Sequence, residues 1–297
     1  MVAARAPGLG RRAFLCSVAA LAAAGPAFAQ QSLRLAAIDW AMMETAVALG
    51  HMPVAACELV RYRQDTTEPR IPASVTDLGL RGAPNYELLQ LMRPDLILSS
   101  TFYPAHEAQL SRIAPVLSLP FYIPGEPPLP KALAALADLA ARIGDAPAGR
   151  TAQMEAEARL DVLAARLAGF RDRPVALIDI GDARHLRAFG YDSMFGNVLE
   201  RLGLGNAWTE RTAFSFRAPL PLERLAAMPE ARLVIVGEIP VEARTGLRRS
   251  ILWQALPPVA QGRLYRIPAV NAFGGTPSAL HFAELLAQAF QTGPAAT

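Results

Sequence analysis

The residues of this chain best suited to hold a ligand are an arginine and a tyrosine that follow two predicted strands. Arg81 ends an extended run, Val75–Leu80, and its planar guanidinium can donate paired hydrogen bonds to two oxygens. Tyr103 follows a buried strand predicted at Leu96–Ser99. Ligand crevices of open α/β sheets lie beyond the strand ends, so we expect both side chains at one crevice. The alternatives are a surface salt bridge for Arg81 and a rim aromatic for Tyr103.

Two other chemistries fit the residue pattern poorly. A hydrolase would need a motif such as G-x-S-x-G or H-E-x-x-H, and neither occurs. A zinc site needs about four converging ligands, but no two histidines have ligand spacing and Cys57 is the only cysteine after the N-terminal segment. The four scattered histidines are His51, His106, His185 and His281.

Alternating strands and helices position the arginine and the tyrosine. Gly82 and Pro84 break the chain after Arg81, and Asn85 can cap the helix that follows. Strands are predicted at Leu33–Ile38, Val54–Val60, Leu96–Ser99 and Val116–Phe121, and helices at Met42–Leu49, Tyr86–Met92, Glu107–Ile113 and Lys131–Ile143. A surface loop is predicted at Pro124–Pro130. This order is typical of a parallel sheet.

A long helix divides the chain. No Gly or Pro occurs between Gly149 and Gly169, and Thr151 can cap a helix of about 18 residues, roughly 27 Å long. The second half repeats the alternation, with strands at Val175–Ile180, Leu186–Phe189, Leu233–Val236 and Leu264–Ile267, and helices at Phe195–Leu202, Pro221–Ala227 and Ser278–Phe290. We predict an α/β fold with an N-terminal lobe (30–148), a connecting helix (149–170) and a C-terminal lobe (171–297). A single larger α/β domain is the alternative.

The first 29 residues are predicted to be a cleaved export signal. Arg11-Arg12 precede a short apolar run, and Ala27-Phe28-Ala29 has the small residues of a cleavage site. The paired arginines are typical of twin-arginine export, and an ordinary secretory signal is the alternative. The signal would place the protein in the periplasm.

Charge and cysteine content limit the function classes further. The leader holds three of the 29 basic residues and no acid, so the remaining chain balances 26 basic against 26 acidic residues. This balance gives no indication of a nucleic-acid partner. With Cys57 alone, no internal disulfide is possible.

The chain resembles the periplasmic binding proteins of iron–siderophore ABC importers, especially the hydroxamate-siderophore receptors. The pattern D-x-G-x-R…P-N-x-E-x-L…P-D-L-I between Asp77 and Ile97 carries the resemblance. Further matching segments are 101–115, 185–208, 220–228, 252–270 and 274–282. The resemblance implies two lobes around a shallow cleft with little closure, a ferric siderophore as cargo, no cofactor, no catalysis, and delivery by a monomer to an inner-membrane permease–ATPase complex. Haem- or cobalamin-binding relatives share this fold and remain an alternative.

The same resemblance assigns a ligand site and also shows departures from the family. It implies that Arg81 and Tyr103 contact the iron-chelating oxygens without ligating the metal, and that Trp40 and Phe273 give apolar contact, with buried packing as the alternative for Trp40. Cleft aromatics are lost in the C-terminal lobe, where Ala213, Ser215 and Arg217 stand at Asn-x-Trp-x-Ser positions, Asn271 replaces a tryptophan and Phe273 a tyrosine. Two converging arginines, Arg81 and Arg217, would favour an anionic ferric chelate. The alternative is that Arg217 points to solvent.

One glutamate in each lobe is a candidate contact to the permease. Glu87 and Glu223 both lie in the first turn of a predicted helix. In the family that the chain resembles, such a glutamate from each lobe meets arginines of the permease. The alternative is a charge that stabilises the helix dipole.

Overall fold

The computed structural model describes residues 33–66, 68–210 and 219–295. The predicted export signal and the predicted ligand residues Ser215 and Arg217 lie outside this part of the chain. Within it, no helix has the length and apolar character needed to cross a membrane.

The N-terminal half builds a parallel five-stranded sheet in the order β3-β2-β1-β6-β7. Its strands are β1 (Leu35–Ala37), β2 (Ala55–Ala56), β3 (Thr76–Asp77), β6 (Leu96–Ser100) and β7 (Val116–Leu119). A separate antiparallel hairpin consists of β4 (Gly79–Leu80) and β5 (Ala83–Pro84). The helices are α1 (Trp40–Ala48), α2 (Leu59–Asp65), α3 (Tyr86–Leu91), α4 (Pro104–Leu110) and α5 (Pro128–Arg142).

The C-terminal half builds a second five-stranded sheet in the order β10-β9-β8-β11-β12. β8 (Val175–Ile180), β11 (Arg232–Val236) and β12 (Leu264–Ile267) are parallel, whereas β9 (His185–Ala188) and β10 (Leu220–Pro221) complete it in antiparallel pairings. Its helices are α7 (Met194–Arg201), a 3-10 helix (Leu222–Ala227), α8 (Val241–Arg249), α9 (Ile251–Ala255), α10 (Pro257–Ala260) and α11 (Thr276–Thr292).

The helix between the sheets, α6 (Ala146–Arg166), starts earlier than the sequence predicts. The Asp145 carboxylate caps it by accepting a hydrogen bond from the Ala148 amide at 3.3 Å, so the predicted cap at Thr151 is wrong. Gly149 lies inside this helix and allows α5 to approach closely, since a Cβ at this position would lie 2.5 Å from the Cβ of Ala140. The limits of the two lobes themselves stay predictions.

One hydrophobic core joins the two halves. It combines Leu98 of the first sheet, Leu177 of the second and Phe282 of α11 in a single cluster. Phe195 of α7 stacks on Phe282 with ring centroids 4.4 Å apart. A shared core resists separation of the two sheets because parting them would expose apolar surface. This is a physical reason to expect little closure around a ligand.

Three element predictions need correction. The predicted strand Val54–Val60 is only two residues long, because Glu58 adopts a left-handed backbone (φ 53°) that ends it and α2 begins at Leu59. The predicted loop Pro124–Pro130 ends early, since Pro128 fits the first turn of α5. The predicted helix Glu107–Ile113 begins three residues earlier, again at a proline. The short helices α8, α9 and α10 carried no sequence prediction.

Candidate ligand-binding site

The site is built where β1 and β6 end side by side. Asp39 caps α1, its Oδ1 accepting hydrogen bonds from the amides of Ala41 at 2.8 Å and Met42 at 3.2 Å. Its Oδ2 accepts a hydrogen bond from the Ser100 hydroxyl at 3.0 Å, which ties the two strand ends together. Burial raises the pKa of Asp39, and these hydrogen bonds and the nearby Arg81 oppose the rise.

Trp40, the first residue of α1, lies beneath Arg81. Its indole Nε1 donates to the Cys57 carbonyl at 3.0 Å, and its ring meets the edge of Tyr62 at 5.2 Å. Only 5% of the residue is exposed. The guanidinium of Arg81 lies 3.8 Å from the ring centroid. Trp40 is therefore a buried support for the arginine, and its apolar contact with a ligand stays a prediction.

Arg81 lies in the turn of the β4-β5 hairpin, and not at the end of a strand of the large sheet. Its Nε donates to Glu58 Oε2 at 2.8 Å, and the two side chains are 18% and 15% exposed. The alternative prediction for Arg81 was a surface salt bridge. Arg81 does form an ion pair, but this pair is largely buried. Its cation–π contact with Trp40 fixes the plane of the guanidinium.

Tyr103 occupies the N-cap position of α4, just beyond β6, without a side-chain capping hydrogen bond, and is half-buried. Burial raises the pKa of Tyr103 to about 12, with Asp39 and Glu58 adding to the rise and Arg81 opposing it. The phenol therefore keeps its proton at neutral pH and can donate a hydrogen bond. Its neighbour Phe102 is 51% exposed and packs edge-on against it, with ring centroids 5.3 Å apart.

The C-terminal half contributes Phe273, which meets Tyr122 edge-on at 5.3 Å between ring centroids. The Tyr122 hydroxyl donates to the Gly274 carbonyl at 2.5 Å, so this aromatic pair bridges the two halves. Phe273 is partly exposed and stays a candidate for apolar ligand contact.

Asn271 is buried, and both ends of its amide have partners within the protein. Its Nδ2 donates to Glu44 Oε1 at 2.9 Å, and its Oδ1 accepts from the Phe273 amide at 3.0 Å. Only 5% of the residue is exposed. Asn271 therefore links the two halves of the molecule, and its contact with a ligand stays a prediction.

Glu44 of α1 is the centre of this link. The Tyr62 hydroxyl, the Asn271 amide and the Ser278 hydroxyl donate to Oε1 at 2.8–2.9 Å. The backbone amides of Gly275 and Ser278 donate to Oε2 at 2.8 and 3.2 Å. Burial raises the pKa of Glu44, and its hydrogen bonds oppose the rise. The carboxylate thus anchors the start of α11 to α1.

A cavity lies elsewhere, at the carboxyl ends of β11 and β12. It measures about 360 Å³ and contains none of the predicted ligand residues. Its lining is formed by Gly237, Glu238, Ile239, Arg244, Arg266, Ile267 and Pro268. Across residues 33–66, 68–210 and 219–295, no cluster of three or more His, Cys, Asp or Glu side chains could hold a metal ion.

The two candidate docking glutamates hold matching positions. Glu87 is the second residue of α3, which precedes β6, and Glu223 is the second residue of the 3-10 helix that precedes β11. Both are exposed. Asn85 caps α3 by accepting from the Leu88 amide at 2.9 Å, so the Glu87 carboxylate is not the cap. Neither carboxylate has a partner among the described residues.

The model of the periplasmic binding protein family matches residues 35–270. The chain belongs to this family. Among its relatives is the iron(3+)-hydroxamate-binding protein FhuD of Escherichia coli (strain K12), which is 34% identical over 253 residues, 85% of each chain.

Solved structures of similar proteins agree with this assignment. The siderophore-binding protein FhuD from Vibrio cholerae, bound to Fe3+–Desferal, has a TM-score of 0.81 and 27% identity over 89% of this chain and 100% of its own. SirA from Staphylococcus aureus, complexed with staphyloferrin B, has a TM-score of 0.64 and 18% identity over 88% and 94%, and it supports the fold alone. These likenesses confirm the predicted two-sheet α/β fold of this binding protein.

Three residues that support the site of this periplasmic binding protein were not predicted from the sequence: Asp39, Glu44 and Glu58. The sequence could have revealed Glu44, since a lone acid within the apolar run Trp40–Ala48 needs hydrogen-bond partners inside the protein. Asp39 had the signal of a helix cap. Glu58 had none, because its pairing with Arg81 joins residues 23 positions apart.

Proposed function

We propose that this chain is a periplasmic carrier that binds a ferric siderophore of the hydroxamate class and delivers it to an inner-membrane ABC importer. The observation that carries the proposal is Arg81, which lies flat on Trp40 and near enough to Tyr103 for its charge to oppose the raised pKa of that phenol. Both side chains can donate hydrogen bonds to the iron-chelating oxygens, which carry partial negative charge. The 34% identity to a hydroxamate-binding protein supports this cargo.

The ligand contacts follow from that arrangement. Arg81 and Tyr103 would hold the chelating centre, and Phe273 would give apolar contact from the other half. Ser215 and Arg217 remain candidates. A neutral phenol donates to oxygens already bound to iron, whereas direct iron ligation would need its phenolate. The chain is proposed to do no covalent chemistry and to need no resident cofactor.

Three ferric ligands separate the possible cargoes. We expect a ferric trihydroxamate to quench the intrinsic tryptophan fluorescence of the purified chain at a lower concentration than a ferric catecholate or ferric citrate. Tighter binding of the catecholate or the citrate would contradict the hydroxamate assignment. Absorbance near the Soret band after incubation with haem would support the haem alternative.

Delivery is proposed to use Glu87 and Glu223, one from each half, against cationic residues of the permease. Their matched positions and exposure support this role. Reversing both charges to lysine should abolish uptake in cells and leave siderophore binding intact. The control reverses two other exposed glutamates, Glu157 and Glu242, and should leave uptake unchanged. Uptake that persists in the Glu87 and Glu223 variant would refute the docking role.

Export is proposed to remove residues 1–29, through the twin-arginine or the general secretory route, and to leave a monomer in the periplasm. The intact mass of the protein recovered from the periplasm tests this directly. A mature chain that begins at Gln30 is expected, and a retained leader would contradict it.

A further inference from the structure

We propose that Glu58 is a positioning residue for Arg81, and that it neutralises the arginine so that the site favours uncharged ferric chelates over anionic ones. This inference rests on the proposed function of the chain and concerns a residue outside the predicted ligand set.

The ion pair with Glu58 determines which edge of the Arg81 guanidinium can reach a ligand. Glu58 Oε2 accepts from the Nε of Arg81 at 2.8 Å, and Glu58 Oε1 lies 3.4 Å from the backbone amide of Arg81. The ring of Trp40 covers one face of the guanidinium at 3.8 Å. Its Nε edge and one face are therefore occupied. The two Nη groups have no acceptor among the described residues and are left to donate to a ligand.

Glu58 is itself held firmly in place. Its backbone is left-handed (φ 53°, ψ 37°), a conformation that is uncommon for a residue with a side chain. Its amide donates to the Gly79 carbonyl at 2.7 Å, which ties it to the hairpin that carries Arg81. The preceding carbonyl, of Cys57, accepts the indole hydrogen bond of Trp40. Residues 57 and 58 therefore contact the hairpin that carries Arg81, the indole of Trp40 and the guanidinium itself.

The charge balance of the pair changes the expected ligand. Two arginines in the sequence suggested an anionic chelate, but a carboxylate at 2.8 Å from Nε offsets the charge of Arg81. Both side chains are more than four-fifths buried, so solvent screens the pair little. The arginine thus offers directed hydrogen bonds with little net positive charge.

The test compares Glu58→Gln with Glu58→Ala. Glutamine keeps a carbonyl that can accept from Nε, so the guanidinium stays oriented but regains its charge. We expect its preference to shift at least tenfold, about 1.4 kcal/mol, toward ferric citrate relative to a neutral ferric trihydroxamate, by fluorescence titration of both ligands. Alanine removes the acceptor and should weaken binding of the neutral chelate about tenfold. The exposed control Glu107→Gln should change neither value.

The outcomes separate this inference from the proposed function. If the unaltered protein binds the neutral chelate and Glu58→Gln leaves the ratio of the two affinities within twofold, the role of Glu58 is refuted while the proposed function stands. If the unaltered protein binds neither ligand, both are refuted. Where Glu58→Ala does not fold, Glu58→Gln alone decides, because only a change of charge moves the ratio.

Discussion

Replacing Glu44 with glutamine should destabilise the protein strongly, although the two side chains have the same shape. Five donors converge on the carboxylate, three on Oε1 and two on Oε2. An amide must turn its NH2 group toward one of these sets. If the NH2 group takes the place of Oε2, it faces two other donors, the backbone amides of Gly275 and Ser278. If it takes the place of Oε1, it faces the NH2 group of Asn271.

The size of the effect follows from these contacts. One buried donor left without an acceptor costs about 1–3 kcal/mol, and the remaining hydrogen bonds lose their charge assistance. Relief of the buried charge offsets part of this loss. We expect the free energy of unfolding to fall by about 2–4 kcal/mol, which corresponds to a melting temperature lower by roughly 4–16 °C.

Thermal unfolding followed by circular dichroism at neutral pH measures the loss. Glu157→Gln is the matched control, because Glu157 is an exposed glutamate of α6 and should leave the melting temperature within about 1 °C. If Glu44→Gln has the same melting temperature as the unaltered protein, the proposal that this carboxylate joins the two halves is refuted.

Three further outcomes are expected. Because burial raises the folded-state pKa of Glu44 above its unfolded value, ionising Glu44 costs more in the folded state than in the unfolded one; in urea titrations the free energy of unfolding should therefore fall more with rising pH in the unaltered protein than in Glu44→Gln, and a steeper fall in Glu44→Gln would contradict this. Tyr103→Phe should weaken siderophore binding about three- to tenfold with an unchanged melting temperature, since one hydrogen bond is worth about 0.5–1.5 kcal/mol, and unchanged affinity would exclude the hydroxyl as a contact. Gly149→Ala should lower stability by about 1–3 kcal/mol because its Cβ would lie 2.5 Å from that of Ala140, whereas Gly169→Ala, with nothing within 4 Å, should not.

Much of the fold follows from local sequence patterns. Val175–Ile180 and Leu264–Ile267 match their predicted strands residue for residue, because buried apolar runs with turn signals on both sides mark them clearly. Asn85 caps α3 as expected. Such features depend on neighbours in the chain and are accessible without a structure.

What escaped prediction depends on distant contacts. The extended run at Val54–Val60 has the composition of a strand, but a left-handed residue inside it, Glu58, breaks it after two strand residues. The hydrogen bond from Asn271 to Glu44, a residue 227 positions away, was not predicted either. Sequence spacing alone cannot reveal pairings over such distances.

The contribution of Arg81 to binding is the most direct test of the central claim, that the chain holds a ferric siderophore through this side chain. The measurement is the affinity for a ferric trihydroxamate, by tryptophan fluorescence, of Arg81→Ala and of the exposed control Arg112→Ala. Losing two charge-assisted hydrogen bonds, each about 1.5–3 kcal/mol, should weaken binding at least tenfold in Arg81→Ala alone. The affinity is measured well below the melting temperature of this variant, because the Glu58 carboxylate left without its partner should lower that temperature. Equal affinity in the two variants would contradict the claim.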